Sequence, residues 1–209
     1  MPFLFQRGKN FMSLPDLLNR TRRPLGISLP ELEADEIARE GLLPGTGPIL
    51  GFDIEPQDPD LNFWCWAAVS VSVLRFLRGE FMTQCELARA VFNNVVDCCQ
   101  NRNACDKMMA LEVALTKAKV FAGKLMSPIT PAAAGAQFQS QRPLGCAVRW
   151  AVDGTAHFVV MYGVSVDGNG TFWVAIDDPK YGKWQGEFVS FRNAYLNGAG
   201  RWVASYFTA

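Results

Sequence analysis

One cysteine and one histidine supply the residue types for nucleophilic chemistry in this chain. Cys65 lies between two tryptophans in the run 63–68 (FWCWAA), and His157 is the only histidine among 209 residues. A thiol becomes a useful nucleophile at neutral pH when a neighbouring imidazolium or a helix N-terminus favours its thiolate. The two residues therefore predict a cysteine nucleophile and its base. Taken separately, each is also typical of a structural residue, because small buried cysteines and isolated core histidines are common.

A histidine that acts as a base needs an acceptor on its second ring nitrogen. If a hairpin closes with Asp167 opposite Gly170, Asp178 lies diagonal to His157, within side-chain reach. Asp177 then points to the other face of the sheet. The register predicts Asp178 as the orienting residue, and a single bulge would reverse that choice.

The elements that must position these residues begin with helices between Cys65 and Gln141. The first is predicted to begin at Cys65 and to end at 78–79 (RG), where glycine supplies the stop. Within it, the alternation at 69–73 (VSVSV) also fits a strand, and the length of the segment favours a helix. Three more helices are predicted: from the capping box 83–86 through Phe92, from Met108 to Lys119, and from 130–131 (TP) onward.

After Pro143 the period of apolar residues changes to two, which predicts strands. The predicted strands are Leu144 to Val152, His157 to Val166, Thr171 to Ile176, Glu187 to Phe191, and Trp202 to Phe207. Hairpin turns fit 153–154 (DG) and 167–170 (DGNG). A helical half before an antiparallel sheet half indicates an α+β fold. A catalytic cleft would then lie between the two halves.

Composition excludes several classes of partner. The chain has 20 basic and 20 acidic residues, which leaves no excess positive charge for a nucleic acid. Its longest apolar stretches have about ten residues against the roughly 20 that a bilayer requires, so no membrane partner or transmembrane helix is expected. The first residues lack a basic-then-apolar signal design, which leaves another export route or a longer parent protein open.

A breaker-rich stretch at 43–48 (LPGTGP) predicts a boundary between residues 1–50 and a domain at 51–209. The first part is predicted to be either a poorly ordered extension, or a pro-segment or recognition arm that covers the cleft. A pro-segment there would inhibit the protein's own cleft.

Several motifs taken together carry a family resemblance. They are 64–68 (WCWAA), 84–85 (QC), 98–99 (CC), Cys105, 157–160 (HFVV) followed by Gly163, and 178–179 (DP) with 181–182 (YG). Over residues 51–209 the chain resembles bacterial papain-like cysteine peptidases of the AvrRpt2-like and C39-like group. The resemblance implies a papain-like α+β fold, in which a helical subdomain carries the cysteine and an antiparallel sheet subdomain carries the histidine and aspartate. It also implies a secreted or translocated bacterial protein.

Carried over by position, the resemblance makes Cys65 the nucleophile, His157 the general base and then acid, and Asp178 the orienting group. Gln57 matches the glutamine that donates to the oxyanion in such enzymes. Its spacing of eight residues before Cys65 is slightly longer than in papain, and Pro56 and Pro59 surround it.

The other cysteines bear on the compartment. If Cys65 is reduced, at least one of the remaining five is unpaired within the chain, and Cys146 in an apolar strand is predicted to be a buried free thiol. The remaining four, Cys85, Cys98, Cys99 and Cys105, fit two disulfides, which the resemblance supports. Free thiols and a zinc site are the alternatives, although the spacing does not match usual zinc ligands. Disulfides would indicate an oxidising compartment.

The predicted function is hydrolysis of peptide bonds in a protein or peptide substrate through an acyl-enzyme on Cys65, with no metal or organic cofactor. Two alternatives stay open. Acyl transfer to an amine, or amidase chemistry, uses the same three residue types, and the acceptor is chosen by the cleft. The second alternative is a papain-like module that binds peptides without turnover. The presence of both Cys65 and His157 argues against it.

Overall fold

A computed structural model describes residues 44–209, and most of the predicted N-terminal part, 1–50, lies outside the described residues. The helices are α1 (Cys65–Arg78), α2 (Gln84–Val91), α3 (Leu111–Lys117), α4 (Pro131–Gln139) and α5 (Phe188–Gly198), with a 3-10 turn at Arg102–Cys105. The strands are β1 (Phe121–Leu125), β2 (Leu144–Trp150), β3 (Ala156–Val166), β4 (Phe172–Asp178), β5 (Gly182–Glu187) and β6 (Gly200–Thr208). They form one antiparallel sheet in the order β1-β6-β2-β3-β4-β5. The predicted α+β fold is confirmed.

Helix α1 forms despite its strand-like alternation because its first ten residues are buried on every side. Two serines are tolerated there, since Ser70 donates to the Trp66 carbonyl at 2.8 Å and Ser72 to the Ala68 carbonyl at 2.7 Å. Gly79 ends the helix with φ of 66°, a left-handed conformation that favours glycine. Both predicted ends of this helix are confirmed.

Two other helices begin where their capping residues predict. Thr83 and Glu86 form a reciprocal capping box at the start of α2. The Thr130 hydroxyl accepts a hydrogen bond from the Ala133 N–H at the start of α4, and Pro131 occupies the first turn.

Helix α3 is shorter than predicted and begins at Leu111 rather than Met108. The residues before it are held in a non-helical arrangement, because the Trp66 indole donates to the Lys107 carbonyl at 3.0 Å. The Lys107 N–H in turn donates to the Cys105 carbonyl at 2.8 Å.

Two strand predictions need correction. Of the segment 187–191, predicted as a strand, only Glu187 is in a strand, and residues 188–191 begin α5. Phe188 and Phe191 are buried one helical turn apart while Val189 is exposed, which favours the helix. The strand that pairs with β4 is β5, which lies earlier in the chain. Strand β1 falls in the half predicted to be helical, and it was missed because this short edge strand has no fully buried residue.

The cysteines pair as Cys85 with Cys99 and Cys98 with Cys105. Of the alternatives for these four residues, the structure therefore has the two disulfides. The other two cysteines, Cys65 and Cys146, are free and buried, as predicted for Cys146.

Residues 44–50 lie along the second half of β3. Thr46 bridges to Val166 and Ile49 to Gly163, and the Ser165 hydroxyl donates to the Pro44 carbonyl at 2.7 Å. These contacts attach the segment to the sheet, and a domain boundary near residue 50 stays a prediction.

A membrane-crossing helix is absent from residues 44–209, since no helix there is both long and apolar enough.

Candidate active site

Cys65 is the first residue of α1, where the helix has N–H groups without intrahelical acceptors and the positive end of its dipole. The side chain is largely buried but opens into a cleft of about 770 Å³, which is also lined by His157. The sequence places these two residues 92 positions apart, and the fold brings them together. A helix N-terminus and a cationic neighbour are surroundings typical of nucleophilic cysteines.

His157 lies near the start of β3 and contacts Asp178 at the end of β4. Its Nε2 is 2.9 Å from Asp178 Oδ1. Because Asp178 occupies Nε2, Nδ1 is the ring nitrogen left to face the Cys65 thiol, which raises the pKa of the same imidazole. The structure thus brings Cys65, His157 and Asp178 together at one site.

Asp178 is buried, and its carboxylate is surrounded by donors. The same Oδ1 accepts the backbone N–H groups of Lys180 at 2.8 Å and Tyr181 at 3.0 Å. The other oxygen, Oδ2, accepts the hydroxyl of Tyr195 at 2.9 Å. A buried carboxylate is costly unless hydrogen-bonded, and here four donors compensate that cost.

The register of β3 and β4 selects Asp178 over Asp177. Near the turn the pairing differs by one residue from the prediction, because Val166 faces Phe172. A bulge at Tyr162 shifts the register back, so that Val160 faces Asp177 as predicted. Asp177 therefore points to the opposite face, where it accepts the Ile54 N–H at 2.9 Å and burial raises its pKa to about 6.

The imidazole of His157 is held in its charged form. Burial by itself lowers the pKa of His157, because it disfavours the imidazolium. Attraction to the Asp178 carboxylate, together with hydrogen bonds to Asp178 and Cys65, outweighs burial and raises that pKa to about 10. At neutral pH the histidine is therefore a cation in the cleft that Cys65 also lines.

Aromatic rings cover the histidine and the aspartate. The Trp150 ring stacks on His157, with centroids 5.4 Å apart and planes 21° apart. Tyr181 meets the imidazole edge-on at 6.0 Å. These rings limit the access of water to the His157 and Asp178 contact, which strengthens it.

Sequence reasoning missed Tyr195. This residue lies in α5, in a segment for which no helix was predicted. A signal was present, because the apolar residues Phe188, Phe191 and Tyr195 follow one another at helical spacing. Their spacing could have revealed the helix, although not the contact with Asp178, since that contact depends on tertiary packing.

Gln57 lies beside the cleft rather than in its lining. It borders a smaller cavity of about 120 Å³ that shares Asn62 and Lys180 with the cleft. Its Nε2 donates to the Leu61 carbonyl at 2.6 Å, while the buried Oε1 has no hydrogen-bond partner among the residues described. An amide nitrogen carries two hydrogens, so one remains for another acceptor.

The disulfide-bonded loop at 98–107 fixes the backbone just before Cys65. The Asp106 carboxylate accepts the N–H groups of Asn62 at 3.0 Å and Phe63 at 2.9 Å. The Trp64 indole donates to the Cys105 carbonyl at 2.8 Å. The loop therefore positions the start of α1 from outside that helix.

Metal binding finds no support within residues 44–209, where no cluster of three or more histidine, cysteine, aspartate or glutamate side chains could hold an ion.

One known protein family matches most of the described chain. The model of the papain-like cysteine protease AvrRpt2 family matches residues 52–196. This chain belongs to that family. The predicted family and the papain-like fold are confirmed, with Cys65 in the helical subdomain and His157 in the sheet. No curated protein sequence matches the chain.

Among solved structures the similarities are distant. The Pseudomonas avirulence protein AvrPphB is 12% identical with a TM-score of 0.36, over 76% of this chain and 97% of that one. A crystal structure of the Amb a 11 cysteine protease, a major ragweed pollen allergen, in its proform is 16% identical with a TM-score of 0.45, over 86% and 70%. At these sequence identities and TM-scores, the solved structures do not strengthen the family assignment.

The lone histidine makes its protonation directly measurable. We expect the imidazole ¹⁵N signals of His157 to remain those of an imidazolium well above pH 6.5, the ordinary value, because Asp178 and Cys65 raise its pKa to about 10. Asp178→Asn should lower that pKa, whereas the matched variant Asp177→Asn should not, since Asp177 faces away. A single titration near pH 6.5 in the unsubstituted protein would contradict this charge state.

The free energy of unfolding should depend on pH through the protonation of His157. The pKa of His157 is higher in the folded state than the unfolded value of about 6.5, so its stabilising contribution is complete below pH 6.5 and is lost as the pH rises through about 10.

Removal of the Tyr195 hydroxyl should destabilise the domain. Tyr195→Phe leaves Asp178 Oδ2 buried without its donor, which typically costs about 1–3 kcal/mol. Urea unfolding measures the change. Tyr181→Phe is the matched control, because no hydrogen bond of that hydroxyl occurs within residues 44–209, and equal losses in both variants would argue against a specific role for Tyr195.

Proposed function

We propose that this protein is a cysteine peptidase that hydrolyses peptide bonds through an acyl-enzyme on Cys65. The observation that carries the proposal is that Cys65, at the N-terminus of α1, and His157, which contacts the buried Asp178, line the same cleft. This cleft is large enough for a peptide. Membership of the papain-like cysteine protease family supports the same reaction class.

In the first half of the reaction the Cys65 thiolate attacks the carbonyl carbon of the scissile bond. The carbonyl oxygen becomes an oxyanion, which accepts hydrogen bonds from the Cys65 backbone N–H and from the second amide hydrogen of Gln57. The tetrahedral intermediate then collapses. The C–N bond breaks, the leaving amine takes the proton of the His157 imidazolium, and a thioester remains on Cys65.

In the second half neutral His157 accepts a proton from water, and the resulting hydroxide attacks the thioester. A second oxyanion forms in the same place and collapses to release the carboxylic acid product. The thiolate and the imidazolium are restored. Asp178 keeps its charge throughout and holds the ring in the orientation that both proton transfers need.

Two disulfides within residues 85–105 are typical of proteins that fold under oxidising conditions. A secreted or translocated bacterial protein is therefore the localisation that we propose, and a disulfide pattern lost in periplasmic or secreted material would contradict it.

Digestion of a mixed peptide library tests the mechanism. Cys65→Ala or His157→Ala should lower cleavage by a factor on the order of 10⁴ or more, because each removes a group that the others need. Gln57→Ala should lower it by about 10²–10³, the usual effect of one oxyanion donor. The mass of each product also distinguishes hydrolysis from transfer to an amine.

Controls keep this test specific. Cys146→Ala removes the other free thiol, which is buried away from the cleft, and should leave cleavage intact. Hydrolysis that survives in Cys65→Ala would rule out the acyl-enzyme.

Self-inhibition by the N-terminal part is a further element of the proposal. The Pro44 carbonyl accepts a hydrogen bond from the Ser165 hydroxyl, near the end of β3 that lies away from His157. Ser165 is eight residues beyond His157, a distance of about 26 Å along a strand. The 43 residues before Pro44 are long enough to reach the cleft.

A chain that begins at residue 44 should therefore cleave the library faster than the full chain, and a separate peptide of residues 1–43 should slow it again. Equal rates of the full and shortened chains would exclude the pro-segment.

A further inference from the structure

Another cavity, of about 440 Å³, adjoins the cleft and is surrounded by arginines. Arg149 of β2, Arg201 of β6 and Arg192 of α5 all line it, and all three are exposed. The remaining lining residues are Met126, Ser127, Pro128, Asn193, Trp202 and Val203. No acidic side chain lines this cavity, so it concentrates positive charge in a chain whose net charge is zero.

Two of these arginines are direct neighbours across the sheet. Arg149 and Arg201 face each other in the pairing of β2 with β6. Side chains at such positions have Cβ atoms roughly 5 Å apart, and like charges there destabilise a sheet. An arginine cannot relieve this repulsion by losing its proton.

Nothing in the described part of the chain compensates these charges. Arg149 and Arg201 form no side-chain hydrogen bond or ion pair within residues 44–209, and Arg192 bonds only the adjacent Asn193 amide oxygen, at 3.3 Å. The cleft offers a contrast, because its Lys124 is paired with Glu112. The three arginines that line the cavity therefore have no ion-pair partner within residues 44–209.

The arginine cavity continues into the cleft. Arg149, Met126 and Val203 line both, and Arg149 pairs with Ala156, the residue before His157. A peptide bound at Cys65 and extended along the cleft would thus bring a side chain a few residues from the scissile bond to the arginines.

We propose that the arginine cavity binds an acidic side chain of the substrate and so selects peptides with Asp or Glu at one fixed distance from the scissile bond. This inference rests on the proposed peptidase function and names the substrate class. Guanidinium groups bind carboxylates through paired hydrogen bonds and remain charged at every working pH. Since the arginines are exposed, added salt weakens the attraction.

Cleavage sites in a peptide library test the proposal. Products from the full chain should show Asp or Glu enriched roughly tenfold at one position, which corresponds to about 1.4 kcal/mol. Arg192→Gln with Arg201→Gln should remove the enrichment, and Arg142→Gln, an exposed arginine on the turn after α4, should leave it unchanged. Cleavage without enrichment, or enrichment that survives the double variant, overturns the proposal.

The same digestion separates two sources of the carboxylate. Peptides with a free C-terminus and peptides with an amidated one are digested in parallel. Acidic enrichment in both sets supports a side-chain carboxylate. Cleavage at a fixed distance from the C-terminus that disappears on amidation assigns the cavity to a terminal carboxylate and overturns the side-chain proposal.

A measurement without turnover keeps this inference distinct from the proposed function. Amidated tetraglutamate should raise the thermal unfolding midpoint of Cys65→Ala protein, whereas tetraglutamine should not. The shift should disappear in the variant that also carries Arg192→Gln and Arg201→Gln. A shift without any library cleavage would overturn the peptidase and leave the anion site standing, and no shift would overturn the anion site.

Discussion

The buried carboxylate of Asp178 is the constraint on which the arrangement of the sheet half depends. A charge removed from water costs several kcal/mol unless hydrogen bonds replace its hydration. Its four donors come from β3, from the turn after β4 and from α5, so three separate parts of the chain must converge on one side chain. The charge that they stabilise is also what holds His157 as an imidazolium. A single interaction thus couples the packing of this half to the chemistry of the cleft.

The distortion of α5 lies where Tyr195 donates a hydrogen bond to the same carboxylate. Residues 194–197 leave helical geometry, and Leu196 and Asn197 adopt positive φ angles of 49° and 56°. Non-glycine residues adopt such angles at a cost of about 1–3 kcal/mol and keep them only where the surroundings enforce them. Tyr195 lies at this distortion, buried between Trp184 and Phe191, with its hydroxyl on Asp178. The packing of its ring and its charge-assisted hydrogen bond offset the backbone strain.

In the helical half, the start of the buried helix α1 is held in place without a capping side chain. Trp64 at the N-cap provides no such bond, and the support comes from the loop at 98–107 instead. Two disulfides fix this loop, and Arg102 within it pairs with Asp58, the residue after Gln57. The loop therefore sets the relative positions of Gln57 and Cys65. The loop is oxidised, whereas Cys65 beside it is a free thiol, and disulfides of this kind are typical of proteins that fold under oxidising conditions.

The parts of this fold that could be predicted are those encoded by neighbouring residues, such as the glycine stop of α1 and the capping box of α2. Contacts between distant elements were harder to predict for a physical reason. The predicted register that selects Asp178 is one residue wrong at the turn. It is correct again at Val160 because the bulge at Tyr162 accommodates an extra residue in β3. A bulge depends on packing against other elements, as does the position of Tyr195 on Asp178. Local sequence patterns are therefore sufficient to predict His157 and Asp178. The hydrogen-bond donors that stabilise the Asp178 carboxylate cannot be predicted in this way, because their positions depend on the tertiary structure.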